Sequence, residues 1–169
     1  MGSTFCGKGY NLLMAVVVSL SNLVDELQML SSELHAYLNQ VTGEIITITD
    51  DEIAAVEKDQ DSSERLEWEE VIFNQAKEVL SSNDYLELPS QFDIHEYEIM
   101  ERFCLSISNE KMSDVLLDSI RGSGAFRRFK DRIYRYGIEK DWFRFRDEVY
   151  KEIAISWLES NNLSYYEPP

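Results

Sequence analysis

RGSGAFRRFKDRIYRYGIEKDWFRFRDEVYKEIAISWL, residues 121–158, holds two helical patterns in succession. Phe126, Phe129, Ile133 and Tyr136 stand three, four and three residues apart, which puts them on one face of a helix. Gly122 precedes this helix and stops the one before it, and Gly137 stands where a left-handed residue closes it. Further on, Trp142, Phe145, Val149, Ile153 and Trp157 make one stripe, and Phe143, Tyr150, Ala154 and Leu158 run beside it. One neighbour cannot cover a stripe that wide, so this last long helix is expected at the centre of the packing.

Upstream of this stretch the pattern is mixed. Ala15 to Val18 suits a short strand, and Ser21 is placed to cap a helix carrying Leu23, Val24, Leu27 and Leu30. The alternation of Ala36 and Leu38, then of Ile46 and Ile48, around Thr42-Gly43 predicts an antiparallel β-hairpin. Gly43 supplies the positive φ of its loop, and the hairpin needs helices or a third strand to be stable. Residues 50–64 are acidic and poor in large apolar groups, as in a linker or mobile loop, although IAAVEK could form a helical turn. Trp68, Ile72, Ala76 and Val79 mark a helix, and Tyr85 to Leu88 reads as extended ahead of Pro89. Asp93 and Glu96 have capping-box spacing, with Phe92 and Tyr97 as the staple of a helix running to about Ile107. Met112, Val115, Leu116 and Ile120 mark the next helix. The expected class is therefore α+β and mainly helical, with five or six helices and a small hairpin near the N-terminus.

The chain has 169 residues, of which 44 % are hydrophobic and 12 % aromatic, enough for a substantial core. It divides into a disordered extension (1–13), one compact domain (14–163) and a tail (164–169). Inside the domain, 14–49 would be an N-terminal subdomain, 50–64 an acidic linker and 65–163 a helical subdomain. Leu12 to Leu20 is too short to span a membrane and lacks a cleavage site, so neither a membrane segment nor a signal peptide is expected. Met14 is an alternative translation start to Met1. Cys6 and Cys104 are the only cysteines; Cys104 lies in an apolar helical pattern and is expected as a buried free thiol in a reducing compartment.

The core Gly122, Gly124, Ala125, Phe126, Arg127, Arg128, Phe129, Lys130, Asp131, within the longer stretch 121–163, resembles the bacterial uncharacterised protein family number 0158. LPSQFDIHEYEIMERF (Leu88 to Phe103) is similar to the family's second block and YLNQVTGEI (Tyr37 to Ile45) to its first. The resemblance covers roughly Val16 to Leu163. It implies a small bacterial cytoplasmic protein, and it brings no catalytic residue or cofactor with it.

Charge is distributed unevenly. The formal net charge is −16, which favours basic partners and opposes nucleic acid and anionic membrane at long range. Yet residues 121–151 hold ten bases and five acids, whereas the other 138 residues hold six bases and 27 acids. One explanation is internal neutralisation, through the i,i+4 pairs Arg127–Asp131, Asp131–Arg135, Arg144–Glu148 and Asp147–Lys151, or against the acids of 50–70. The other is a binding surface made from Arg121, Gly122, Ser123, Gly124, Arg127, Arg128, Lys130, Arg132 and Arg135. In that surface Arg128, Arg132 and Arg135 share a helix flank, and Gly122-Ser123-Gly124 lies at the helix N-terminus, where an anion is favoured. Aromatic rings alternate with these bases as in nucleic-acid binders, but the seam Phe126, Phe129, Ile133, Tyr136 is expected to point inward.

No motif for catalysis, metal or cofactor binding stands out. HEYEIM lacks the second histidine of a zinc helix, and the acids of 50–61 lack the glycine and spacing of a calcium loop. The only catalytic seeds are His35 with Tyr37, and Asp93 with His95 and Glu96. The sequence therefore favours a non-enzymatic cytoplasmic interaction or regulatory protein that docks a protein partner on its C-terminal basic helices. Nucleic-acid or phosphate-ligand binding through the same arginines, and a cryptic enzyme, are the alternatives.

Overall fold

The computed structural model describes residues 16–58 and 65–168. The described part opens with strand β1 (Val17–Ser19) and helix α1 (Leu20–Met29). Ser19, not Ser21, caps this helix, its Oγ accepting from the Asn22 amide at 3.4 Å. The reason is apolar: Leu20 joins Leu23 and Leu27 in the buried stripe, so the helix begins a turn edge earlier than the expected cap.

Strands β2 (Leu34–Asn39) and β3 (Ile45–Thr49) form the expected hairpin, in register from Leu34↔Thr49 to Leu38↔Ile45. Its loop turns at Gly43, where φ is +78° and the amide donates to the Asn39 carbonyl at 2.7 Å. Helix α2 (Asp50–Glu57) follows at once, so over half of the stretch read as an acidic linker is helical. Thr49 and Glu52 form a capping box that outweighs the poor apolar content: the Thr49 amide donates to Glu52 at 2.6 Å, and the Glu52 amide to Thr49 Oγ at 3.3 Å. It brings the helices among the described residues to seven, one more than the upper expectation of six. Helix α3 (Glu67–Ser81) packs on it, and strand β4 (Tyr85–Glu87) joins the free edge of β2, giving the antiparallel order β3-β2-β4.

Period-two alternation gives this sheet two apolar faces. Ala36, Leu38 and Ile45 enter the main core, while Tyr37, Ile46 and Ile48 meet Ala76 and Val79 of α3 and Ile53 and Val56 of α2.

Four helices complete the chain: α4 (Glu96–Ser106), α5 (Glu110–Ser119), α6 (Ala125–Tyr136) and α7 (Glu139–Ser160). The start of α4 differs from expectation. Asp93 reaches back to Ser90, accepting from its amide at 2.9 Å and its hydroxyl at 2.6 Å, so it closes a separate turn and the helix opens three residues later. Phe92 is 74 % exposed and staples nothing. Helix α7 is the central one, packing on α1, α4 and α6 and burying Trp142, Val149, Tyr150, Ala154 and Leu158. Around its first turns Phe103, Phe129, Trp142 and Phe145 meet edge-on, with ring centroids 4.8–6.1 Å apart.

The tail docks as well. Strand β5 (Ser164–Tyr166) pairs in parallel with β1, and Glu167 forms an ion pair with Lys151. Cys104 is a buried free thiol; Cys6, Met14 and the expected extension 1–13 lie outside the described residues. No helix of the described residues is long and apolar enough to cross a membrane.

Candidate functional site

Helix α6 organises the basic region, and two left-handed glycines bound it. Gly124 (φ +74°) precedes its first residue; Gly137 (φ +66°) ends it, with the Ile138 amide donating to the Ile133 carbonyl at 3.0 Å. Phe129 and Ile133 alone of the four-residue seam are buried, which fixes the helix's inward face. Phe126 is 40 % exposed and Tyr136 is also exposed, so the seam is only half covered: α5 and α7 flank its middle and leave its ends open.

The nine residues read as one surface separate into three arrangements. The first is a loop clamp. Arg128 folds back across the Gly122-Ser123-Gly124 loop and donates to three backbone carbonyls: from Nε to Ser119 at 3.0 Å, and from its two terminal nitrogens to Arg121 and Ser123. The loop thus offers carbonyl oxygens to the chain's own guanidinium. An added Cβ on Gly124 would lie 3.1 Å from Arg128 Nη1, so the guanidinium would have to shift by a few tenths of an ångström, and the φ of +74° itself disfavours a side chain there. Arg121 itself pairs with Asp118 at 3.3 Å.

The second arrangement is a groove of about 390 Å³ between α5 and α6. Arg128, Arg132 and Arg135 line it together, as their spacing predicted, but Asp118 and Asp131 line it too. Its charge is therefore mixed.

The third is an outward ridge. Arg127 and Lys130 are exposed, Lys130 stands 5.4 Å over the Phe126 ring, and Tyr134, one turn on, is 71 % exposed. Among the described residues, no carboxylate lies within 4 Å of the side-chain nitrogens of Arg127, Lys130, Arg132 or Arg135. The expected i,i+4 pairs are accordingly not made. Arg144 turns instead to Asp141, Lys151 to Glu167, and Asp147 accepts from Gln28 Nε2 at 3.1 Å. Packing of β5 and α1 against α7 brings Glu167 and Gln28 to Lys151 and Asp147, whereas Asp141 lies on α7 itself, three residues before Arg144.

A feature that spacing did not suggest joins α4 to α7. Glu96 Oε1 accepts from Tyr150 Oη and from Arg146, each at 3.1 Å, while the Arg146 guanidinium lies 4.8 Å from the Tyr150 ring. Burial, then the Glu96 charge, raises the Tyr150 phenol above its ordinary pKa. Only the pairing of Glu96 with residues 50 and 54 positions later could have announced this contact, and no local pattern encodes it.

Among the described residues no hydrogen bond or ion pair joins the two catalytic seeds. His35 is held between Asp50 (2.8 Å) and Glu87 (3.4 Å), and burial followed by Glu87 raises the pKa of Tyr37 on the same strand face. Asp93 is held by Ser90, whose hydrogen bonds lower its pKa. Among the described residues, no three His, Cys, Asp or Glu side chains come together as a metal set.

The Uncharacterised protein family (UPF0158) matches residues 13–167. The chain belongs to this family. No curated protein and no solved structure matches it. The UPF0158 match spans every helix and strand described here, so the clamp, the groove and the ridge all fall within the family's region.

Proposed function

We propose that this protein is a non-enzymatic interaction protein that docks an acidic protein partner on the outer ridge of α6. One observation carries the reading. Arg127 and Lys130 remain exposed and, among the described residues, without carboxylate partners in a chain of net charge −16, beside the exposed rings of Phe126 and Tyr134. Carboxylates are abundant in this molecule, so bases left unmatched are available to something else. Arginine and aromatic side chains are the types that concentrate binding energy at protein interfaces. The cytoplasm is the compartment this reading assumes, in keeping with the buried free thiol of Cys104.

The test is binding of a labelled peptide of alternating Glu and Leu, followed by fluorescence anisotropy at low protein concentration. Wild type binds, and Arg127→Glu with Lys130→Glu weakens binding at least tenfold with the circular dichroism spectrum unchanged. Equal binding by both proteins disposes of the ridge.

A second reading, nucleic-acid binding, gains support from one finding: Phe126, Tyr134, Tyr136 and Phe143 are exposed, so rings are available for stacking. The net charge still opposes it, since phosphate contacts dominate such affinity. A single-stranded oligonucleotide that binds with a steep salt dependence, where the acidic peptide does not, would favour this reading over the first.

A further inference from the structure

Resting on the ridge reading above, we infer that the acidic partner is a second copy of this chain, which receives the α6 ridge on α3 and the cleft beside it. Helix α3 buries only Ala76 and Val79. Trp68 (60 % exposed), Val71 (64 %) and Ile72 stand at i, i+3 and i+4 and form an apolar strip open to solvent. The next residue in this spacing, Gln75, lines a cleft of about 620 Å³. Asp25 and Glu26 of α1 and Glu44 of the hairpin loop line the same cleft, and no lysine or arginine does. Among the described residues none of these three carboxylates forms an ion pair.

The molecule therefore displays an apolar strip that leads, at Gln75, into a cleft whose acids have no ion-pair partner among the described residues, and elsewhere an aromatic ridge whose bases have none there either. Each has the composition and sign the other lacks. Within one chain no ion pair joins them among the described residues, so the complement lies on another molecule. The two patches differ, so copies related by a two-fold axis make the contact twice in a dimer, whereas head-to-tail contacts close into a ring or extend into an open array.

Sedimentation equilibrium of the full chain across the micromolar range tests this. Two double variants are compared, Arg127→Glu with Lys130→Glu on the ridge, and Trp68→Glu with Val71→Glu on the strip. All four side chains are exposed, and circular dichroism checks that each variant folds. Wild type should show at least a doubling of weight-average mass with concentration, and each variant should remain monomeric. An equimolar mixture of the two variants should recover a heterodimer, because one intact ridge still meets one intact strip. A wild type that stays monomeric throughout, or association that survives in either variant, overturns the inference. If wild type is monomeric yet binds the acidic peptide, the ridge reading stands and the partner is another protein. If it self-associates through neither patch and ignores the peptide, both fail.

Discussion

Arg128 shows why position on a helix does not determine what a side chain does. Spacing places it with Arg132 and Arg135, and it does line their groove, but its guanidinium is spent on the carbonyls of Ser119, Arg121 and Ser123. Periodicity reports the face of a helix and is silent about acceptors in the loop beneath it, so the sequence alone could not separate clamp from ligand site. Arg128→Ala should lower the unfolding free energy by about 1–3 kcal/mol, since hydrogen bonds to a charged donor are lost together. Arg128→Lys should recover part of this, and Arg132→Ala should change stability by under about 0.5 kcal/mol. Urea denaturation measures all three; an Arg128→Ala protein as stable as wild type would refute the clamp. Cys104 gives a second prediction at this scale. Burial pushes its thiol from 9.0 up to about 11, and the group is fully enclosed. Between those values the unfolded thiol ionises while the folded one stays protonated, so its contribution is complete below pH 9 and disappears as pH approaches 11. The loss amounts to about 2–3 kcal/mol at ~1.4 kcal/mol per unit. Cys104→Ala should flatten that part of the stability profile, the tyrosines being common to both proteins; parallel profiles would count against it.

Among the elements, those governed by local pattern could be read in advance. The hairpin, α3, α5, α6 and α7 follow from periodicity and glycine placement, and the structure has them where expected. The structure departs from the pattern where a polar signal competes with an apolar one. Helix α2 shows in the sequence only as a possible turn at IAAVEK because its nucleus is the Thr49–Glu52 box in a run of acids, and α4 reads as starting early because two boxes, Ser90–Asp93 and Asp93–Glu96, overlap end to end. Strand β5 could not be seen at all, since its partner β1 lies at the other end of the described chain. The candidate surface was half legible: spacing gave the groove arginines, but exposure of Phe126 depends on how far neighbouring helices reach. The α4–α7 clamp supplies the prediction here. Glu96→Ala leaves the Tyr150 hydroxyl and Arg146 without their shared acceptor in a half-buried site and should cost about 1–3 kcal/mol. Tyr150→Phe keeps the Arg146 ion pair and should cost about 1 kcal/mol. A double-mutant cycle should return a clear coupling between the two positions; strict additivity would mean the contact contributes nothing.

For the whole molecule, sign and connectivity matter most. A net charge of −16 on a chain of 169 residues opposes compaction through self-repulsion, and the basic block of α6 and α7 relieves only part of it. Added sodium chloride should therefore raise the melting temperature; relief of about 1 kcal/mol corresponds to roughly 2–4 °C in a protein of this size. A melting temperature that falls with salt would mean that attractive pairs outweigh the repulsion. Connectivity has a different consequence. Helix α1 packs mainly on α7, and β1 pairs with β5, so the earliest described elements find their partners in the latest. During translation Leu20, Leu23 and Leu27 emerge from the ribosome long before the residues that cover them have been made. The nascent chain must carry an uncovered leucine stripe until α7 has been made, a period in which a chaperone has its binding site and a product terminated before α7 has no means of hiding it.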